Sequence, residues 1–227
     1  MRMKSMIFSD IRFQFRYGFY AIYGILTLVY IGLLYALPAA WRGDAALLMI
    51  FTDPAAMGLF FMGAIVLFEK SERVLNSIAV SPVTPAEYVL SKLVSIGAIA
   101  TLVAVVIGAA AGVIRNIGLF VFSVFVCSCL FSALSLIVAC KIKTLNQFFL
   151  AVVPIEVLTT VPAVLWMFWF PSNVWLLHPG VGMLMLCTGR GHAALAMLSL
   201  LVWTAAAVLA AVRTVDKMLQ SVGGIKL

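Results

Sequence analysis

Glu156 is the side chain best placed to do chemistry. It lies between Pro154 and Pro162, with Thr159 and Thr160 one turn on, inside an apolar run from about Gln147 to Phe170. A carboxyl group at that depth is costly, so such groups face a bundle interior or a watery cavity. Two readings stay open. Glu156, Thr159 and Thr160 face a translocation path, or Glu156 is neutral and hydrogen-bonded to a threonine, bracing a helix whose prolines leave carbonyls unpartnered. Other reactive groups are sparse. His178 and His192 have no nearby acids or cysteines and read as polar surface residues rather than metal ligands. Cys127, Cys129, Cys140 and Cys187 lack metal spacing and read as small packing residues, with no disulfide expected. No GxxxxGK[ST], HExxH or GxSxG motif occurs, so neither ATP binding nor hydrolysis by this chain has a sequence signal. No enzyme, metal or cofactor is expected.

The second group is EKSERVLNSIAVSPVTPAEYVLSK, Glu69 to Lys92, the longest polar interruption in the chain. Glu69 and Arg73 have the i, i+4 spacing that supports a helix, and Val74, Leu75 and Ile78 give it an apolar stripe. Pro82 biases Ser81 out of the helical region, so this helix stops near Val80. Thr84, Pro85 and Glu87 then predict an N-cap, a first helical residue and a capping box. A charged helix such as Glu69–Glu72–Arg73 is read by a soluble partner, or it is a solvated loop between two spans.

These groups need an apolar frame. The chain has 227 residues, 65% hydrophobic and 10% charged, with mean hydropathy +1.18. Ordinary soluble domains are about half apolar and a quarter charged, which excludes a water-soluble globule. The expected fold is an all-α integral membrane domain over residues 1–227, with six spans at about 19–40, 53–68, 88–114, 118–140, 147–170 and 193–212. The first span is too long for a signal-peptide core and is taken as uncleaved. Asp53-Pro54 reads as an N-cap and first helical residue. That second span is short, so the helix runs past Glu69 or residues 45–52 also enter the membrane. Ala100, Ala104, Gly108 and Gly112 form a small-residue stripe for close helix packing. Glu156 is expected to be the one acid deep inside a span. Between Pro171 and His192, apolar runs broken by Pro179, Gly180 and Gly182 fit two short re-entrant helices.

Ahead of the first span, Arg2, Ser5, Ser9, Arg12 and Arg16 make a polar stripe, with Met3, Ile7, Ile11 and Phe15 opposite. This is the pattern of a basic helix lying in the membrane interface. Six spans put both termini on one side, together with Arg2, Lys4, Arg12, Arg16, Lys70, Arg73, Lys92, Lys141, Lys143, Arg213, Lys217 and Lys226. Arg42, Arg115 and Arg190 fall on the other side. The bias makes the termini and the 69–92 loop cytoplasmic, and it explains the net charge of +7 without nucleic acid.

The acidic, Arg-containing helix, the Ser-Pro-Val turn and the Lys-bearing helix start resemble permease subunits of type 2 ABC exporters. Gln14 to Ile31, QFRYGFYAIYGILTLVYI, resembles the fluoroquinolone export permeases among them. The resemblance implies that Glu69, Glu72, Arg73, Leu75, Ile78 and Pro82 form a coupling helix that docks on a separate ATPase subunit. The N-terminal helix would touch that ATPase as well, and ATP would be bound by the partner alone. It implies that His178, Pro179 and Gly180 open an external re-entrant hairpin. It further implies a homodimer or heterodimer in the bacterial cytoplasmic membrane that exports amphipathic small molecules, fluoroquinolone-like drugs among them. A proton-coupled transporter using Glu156, and a membrane immunity or scaffold protein without transport, are the competing readings.

Overall fold

A computed structural model describes residues 2–169 and 172–222; Phe170, Pro171 and Lys226 lie outside the described residues. These residues form ten α-helices: α1 (Arg2–Arg16), α2 (Phe19–Ala36), α3 (Ala39–Ile50), α4 (Met57–Ser71), α5 (Val74–Ala79), α6 (Pro85–Ala111), α7 (Ile117–Lys141), α8 (Leu145–Phe168), α9 (Pro179–Thr188) and α10 (Ala193–Val222). No strand occurs among them. Six segments are long and apolar enough to cross a membrane: α2, the run Ala39–Ser71, α6, α7, α8 and α10. The fold class expected from sequence is therefore the observed one.

The second span departs from expectation. Its helix starts at Ala39, not Asp53, and continues through a π-helical turn at Phe51–Ala55 into α4. Pro54 has no N–H to donate, and a wider π turn accommodates a locally broken ladder inside a helix. Asp53 is thus an intramembrane residue and caps nothing. At ~1.5 Å per residue these 33 residues reach about 50 Å, so the helix both begins early and runs past Glu69.

α7 is the core helix. It packs against α4, α6, α9 and α10, and Ser123, Ser128, Ser132 and Ser135 on it are fully buried. Small residues let the backbones close up. A Cβ on Gly58 of α4 would sit 3.0 Å from the Ser128 carbonyl and would collide with the Ser132 hydroxyl. On α6, Ala100, Ala104 and Gly108 are buried as the stripe requires, whereas Gly112 lies past the helix end. All four cysteines are free.

The expected pair of re-entrant helices is one 3-10 turn, Asn173–Leu177, followed by α9, whose ten residues are all buried. In α1 neither predicted stripe is the packing face. Phe15 is 74% exposed, while Asp10 and Gln14 turn onto α6.

Candidate functional site

Lys92, in the second turn of α6, is the centre of the terminal end of the bundle. Its ammonium sits 2.5 Å from Glu69 Oε1 on α4 and 3.1 Å from Asp10 Oδ1 on α1, with its side chain only 4% exposed. The remaining acceptors are filled by neighbours. Tyr88 donates to Glu69 Oε2 at 2.6 Å, and Ser91 donates to Asp10 Oδ2 at 2.8 Å. One turn further along α1, Gln14 Nε2 donates to Ser95 Oγ at 3.0 Å. Three helices are fastened by one buried cation and two carboxylates. Such a group holds only while complete, since removing one member strands the others away from water.

Glu69 was expected to pair with Arg73 on one exposed helix. The structure places it inward instead, 6% exposed and bonded to Lys92, because α4 ends at Ser71. Arg73 has φ 59, the left-handed conformation, which costs a non-glycine residue roughly 1–2 kcal/mol and turns the chain sharply into α5. Leu75 is buried and Ile78 half-buried against the bundle, while Glu72, Arg73, Asn76, Val80 and Pro82 project outward. The predicted capping box then starts α6: Glu87 N–H donates to Thr84 Oγ1, and Thr84 N–H to Glu87 Oε2 at 2.9 Å. Lys70 is neither a docking charge nor a helix pair. It donates to the carbonyls of Ala139, Cys140 and Ile142 at 2.6–3.0 Å, satisfying the end of α7.

Between α1 and this turn lies an open cleft of about 640 Å³, lined by Arg12, Phe13, Arg16, Tyr17, Glu72 and Val74 among others. Tyr17 donates to Glu72 at 3.3 Å and stacks on Phe13, with ring centroids 4.3 Å apart. Desolvation and the Glu72 carboxylate raise the Tyr17 phenol above its usual range, so it stays a donor at neutral pH. The cleft offers both signs of charge and aromatic surface, the chemistry of a protein contact.

The second site lies mid-membrane. Glu156 is about 17 Å from either end of α8 by helical rise. Thr160 donates to its Oε1 at 3.1 Å, its Oε2 is buried without a partner, and Thr159 bonds back to the Ile155 and Glu156 carbonyls. The threonine contact of the second reading is present, and the other carboxyl oxygen is buried without a hydrogen bond. Glu156 is not the one deep acid. Asp53 lies in the π turn inside the second span. Among the described residues neither acid forms an ion pair.

His178, Pro179 and Gly180 lie against this region. Pro162 cannot donate to the carbonyl four residues back, and His178 Nε2 approaches that Leu158 oxygen at 3.3 Å. Burial lowers the His178 pKa, partly offset by this bond, so the ring is neutral at pH 7 and donates. A Cβ on Gly180 would lie 2.7 Å from Phe51 and 3.0 Å from the Thr159 carbonyl, so only glycine lets α9 meet both the π turn and α8.

Sequence reasoning missed Asp10, Asp53, Tyr88 and the central place of Lys92. Asp10 carried a signal, as the one acid in an otherwise basic helix. Asp53 was hidden by its proline, which mimics a helix start.

A family model described as the fluoroquinolones export permease protein family matches residues 1–220. Two fluoroquinolones export permease proteins of Mycobacterium tuberculosis, from strains CDC 1551 / Oshkosh and ATCC 25618 / H37Rv, are each 30% identical over 164 residues. The alignment covers 70% of this chain and 68% of each relative.

Proposed function

The chain belongs to the fluoroquinolones export permease protein family, and from that premise we propose that it is the membrane subunit of an ATP-driven exporter. A separate ATPase subunit binds and hydrolyses ATP. It docks on the projecting turn from Glu72 to Pro82 and on the cleft beside α1, on the cytoplasmic side by the positive-charge bias. Two copies, or this chain and a related permease, form the transporter. The cargo is an amphipathic small molecule of the kind named in the relatives, moved outward past Glu156, Thr159 and Thr160. Two half-buried acids cannot face lipid cheaply, so this face belongs to a path or subunit interface.

The observation that carries the reading is the construction of the turn. Glu72 and Arg73 are exposed at its tip, while its roots, α4 and α6, are locked by the Glu69–Lys92 pair. A push at the tip therefore moves two membrane helices as one body. Glu69 serves coupling through that lock, and Leu75 and Ile78 by seating α5.

The test is efflux in inverted vesicles containing the chain and its ATPase. Transport should survive an ionophore and stop with vanadate. Glu72→Lys and Arg73→Glu should each lower ATP-driven transport at least about tenfold, the effect of reversing a desolvated contact charge, with insertion unchanged. Arg73→Gly keeps the backbone turn and separates its shape from its charge. Transport that follows the proton gradient and ignores vanadate would favour a proton-coupled carrier and sink the proposal.

A further inference from the structure

The three arginines that the charge bias leaves on the far side, Arg42, Arg115 and Arg190, are used unequally. Arg42 is spent on its own stretch of chain. Its Nε donates to the Leu37 carbonyl at 2.9 Å, its Nη2 to that of Tyr35 at 3.2 Å, and the guanidinium lies over the Tyr35 ring. Arg115 follows the end of α6 and Arg190 the end of α9, positions where arginine often satisfies the last carbonyls of a helix. Neither does so here. Among the described residues neither guanidinium donates a hydrogen bond or forms an ion pair, and Arg190 donates only its backbone N–H, to Thr188 Oγ1 at 3.4 Å. Arg115 reaches across to the cap of α9, where a Cβ on Gly189 would lie 3.9 Å from its Cδ and Nη1.

Both arginines line one recess of about 200 Å³ at the end of the bundle opposite the Lys92 cluster, with Gly43, Asp44, Val113 and Thr188 around them. α3 closes one side, since a Cβ on Gly43 would meet Val113 Cγ1 at 3.7 Å. Asp44 is exposed and forms no ion pair with either arginine, so it is not their counter-charge. Two guanidinium groups against one carboxylate leave the recess one positive charge in excess, which favours a monoanion. The planar fork of a guanidinium matches the two oxygens of a carboxylate. Asp44 also lines a neighbouring cleft of about 480 Å³, where Trp41 and Phe168 supply exposed aromatic rings and Leu48 apolar surface. Positive charge and ring surface therefore adjoin across a single residue of α3.

We propose that Arg115 and Arg190 form a binding site for the carboxylate of an amphipathic aromatic acid, whose rings lie in the cleft between Trp41 and Phe168. This deepens the exporter reading and rests on it for placing the site on the exit side of the membrane. Ring systems stack on aromatic faces, whereas an acyl chain needs only apolar surface, so the cleft suits an aromatic body better than a lipid tail. Asp44 stands between the two parts and repels the carboxylate, which keeps the site weak enough to release its ligand outward.

The probe is dansylglycine, a fluorescent aromatic carboxylate, compared with dansylglycinamide, which has the same fluorophore and no charge. Both are titrated onto the purified full-length chain in phosphatidylcholine nanodiscs, with empty nanodiscs as the baseline for partitioning. The unaltered chain should prefer the carboxylate by about tenfold, the sum of two exposed charge contacts, and equal affinities overturn the site without any variant. Arg115→Gln and Arg190→Gln should each weaken the carboxylate about three- to fivefold and leave the amide unchanged. Asp44→Asn should act in the opposite direction and tighten the carboxylate about twofold, because a like charge is removed. Trp41→Ala should weaken both probes alike, since it touches the rings and not the charge. Arg42→Gln, which alters an arginine already bonded to its own chain, should leave the preference unchanged. Parallel losses for both probes in the Arg115 and Arg190 variants, or no loss in either, overturn the proposal and leave these arginines as helix-end charges. Vanadate-sensitive transport combined with charge-blind binding sinks the site and leaves the exporter standing. Charge-selective binding without ATP-driven transport supports the site and sinks the exporter.

Discussion

Two clusters of buried charge occupy this bundle and follow opposite rules. At the terminal end, Lys92 lies between Glu69 and Asp10, and Tyr88 and Ser91 occupy the outer carboxylate oxygens. In the middle, Asp53 and Glu156 have no ion pair among the described residues, and Thr160 donates to one oxygen of Glu156. The first cluster contains its own counter-charge and is complete. The second has no counter-charge of its own among the described residues. The first fastens α1, α4 and α6; the second lies where two backbone irregularities, the π turn and the proline-broken α8, leave room.

The sharpest way to break this contrast is stability. Lys92→Met strands Asp10 and Glu69 in the interior and should cost about 3–5 kcal/mol, read from unfolding in detergent. Asp53→Asn and Glu156→Gln each remove a like charge from an unpaired set and should leave stability level or higher. An Asp53→Asn loss as large as that of Lys92→Met would put both clusters in one class. The triple change Asp10→Asn, Glu69→Gln, Lys92→Met should recover much of the single-variant loss, because no charge is then left alone.

Lys70 offers an intermediate test. It is a half-buried cation with backbone carbonyls in place of a carboxylate, three of them at the end of α7. Lys70→Met should cost about 1.5–3 kcal/mol, the scale of hydrogen bonds to a charged group, less than breaking the clasp. Hydrogen exchange should place the loss in the last turn of α7. A loss spread over α4 instead would mean that Lys70 acts as a further member of the clasp.

How much of this was legible follows from sequence distance. The capping box at Thr84 and Glu87, the break at Pro82 and the number of apolar spans are local patterns, and each appears as its residues predict, the start of the second span excepted. The clasp joins Lys92 to Asp10 across 82 positions, and nothing in either segment names the other. Local logic even misdirected, since Glu69 and Arg73 have the spacing of a helical ion pair. The left-handed turn at Arg73 prevents it, and Tyr88 and Lys92 claim the carboxylate. Asp53-Pro54 failed for the same reason: a dipeptide that caps helices elsewhere sits here inside one, because apolar sequence on both sides favours an unbroken span. At Glu156 the threonine bond was readable from i, i+4 spacing, whereas Asp53 as a second acid inside a span required the fold.

The smallest expected effect concerns the protonation of His178. His178 is the basic side chain seen hydrogen-bonded to α8, through the Leu158 carbonyl that Pro162 leaves without its helical donor. Burial holds its pKa below the ordinary 6.5 despite that bond. Above 6.5 both the folded and unfolded chains carry a neutral imidazole, and the contact contributes its full stability. As pH falls through 6.5 toward the lower folded value, the unfolded chain takes up the proton first, and stability declines. Unfolding followed from pH 7.5 down to 5 should therefore show a loss that His178→Gln abolishes, since glutamine donates to the carbonyl but does not titrate. The same titration reads the acid pair. If protonated His178 served as its counter-charge, acidification would stabilise the chain instead. The neutral-donor assignment requires the opposite sign.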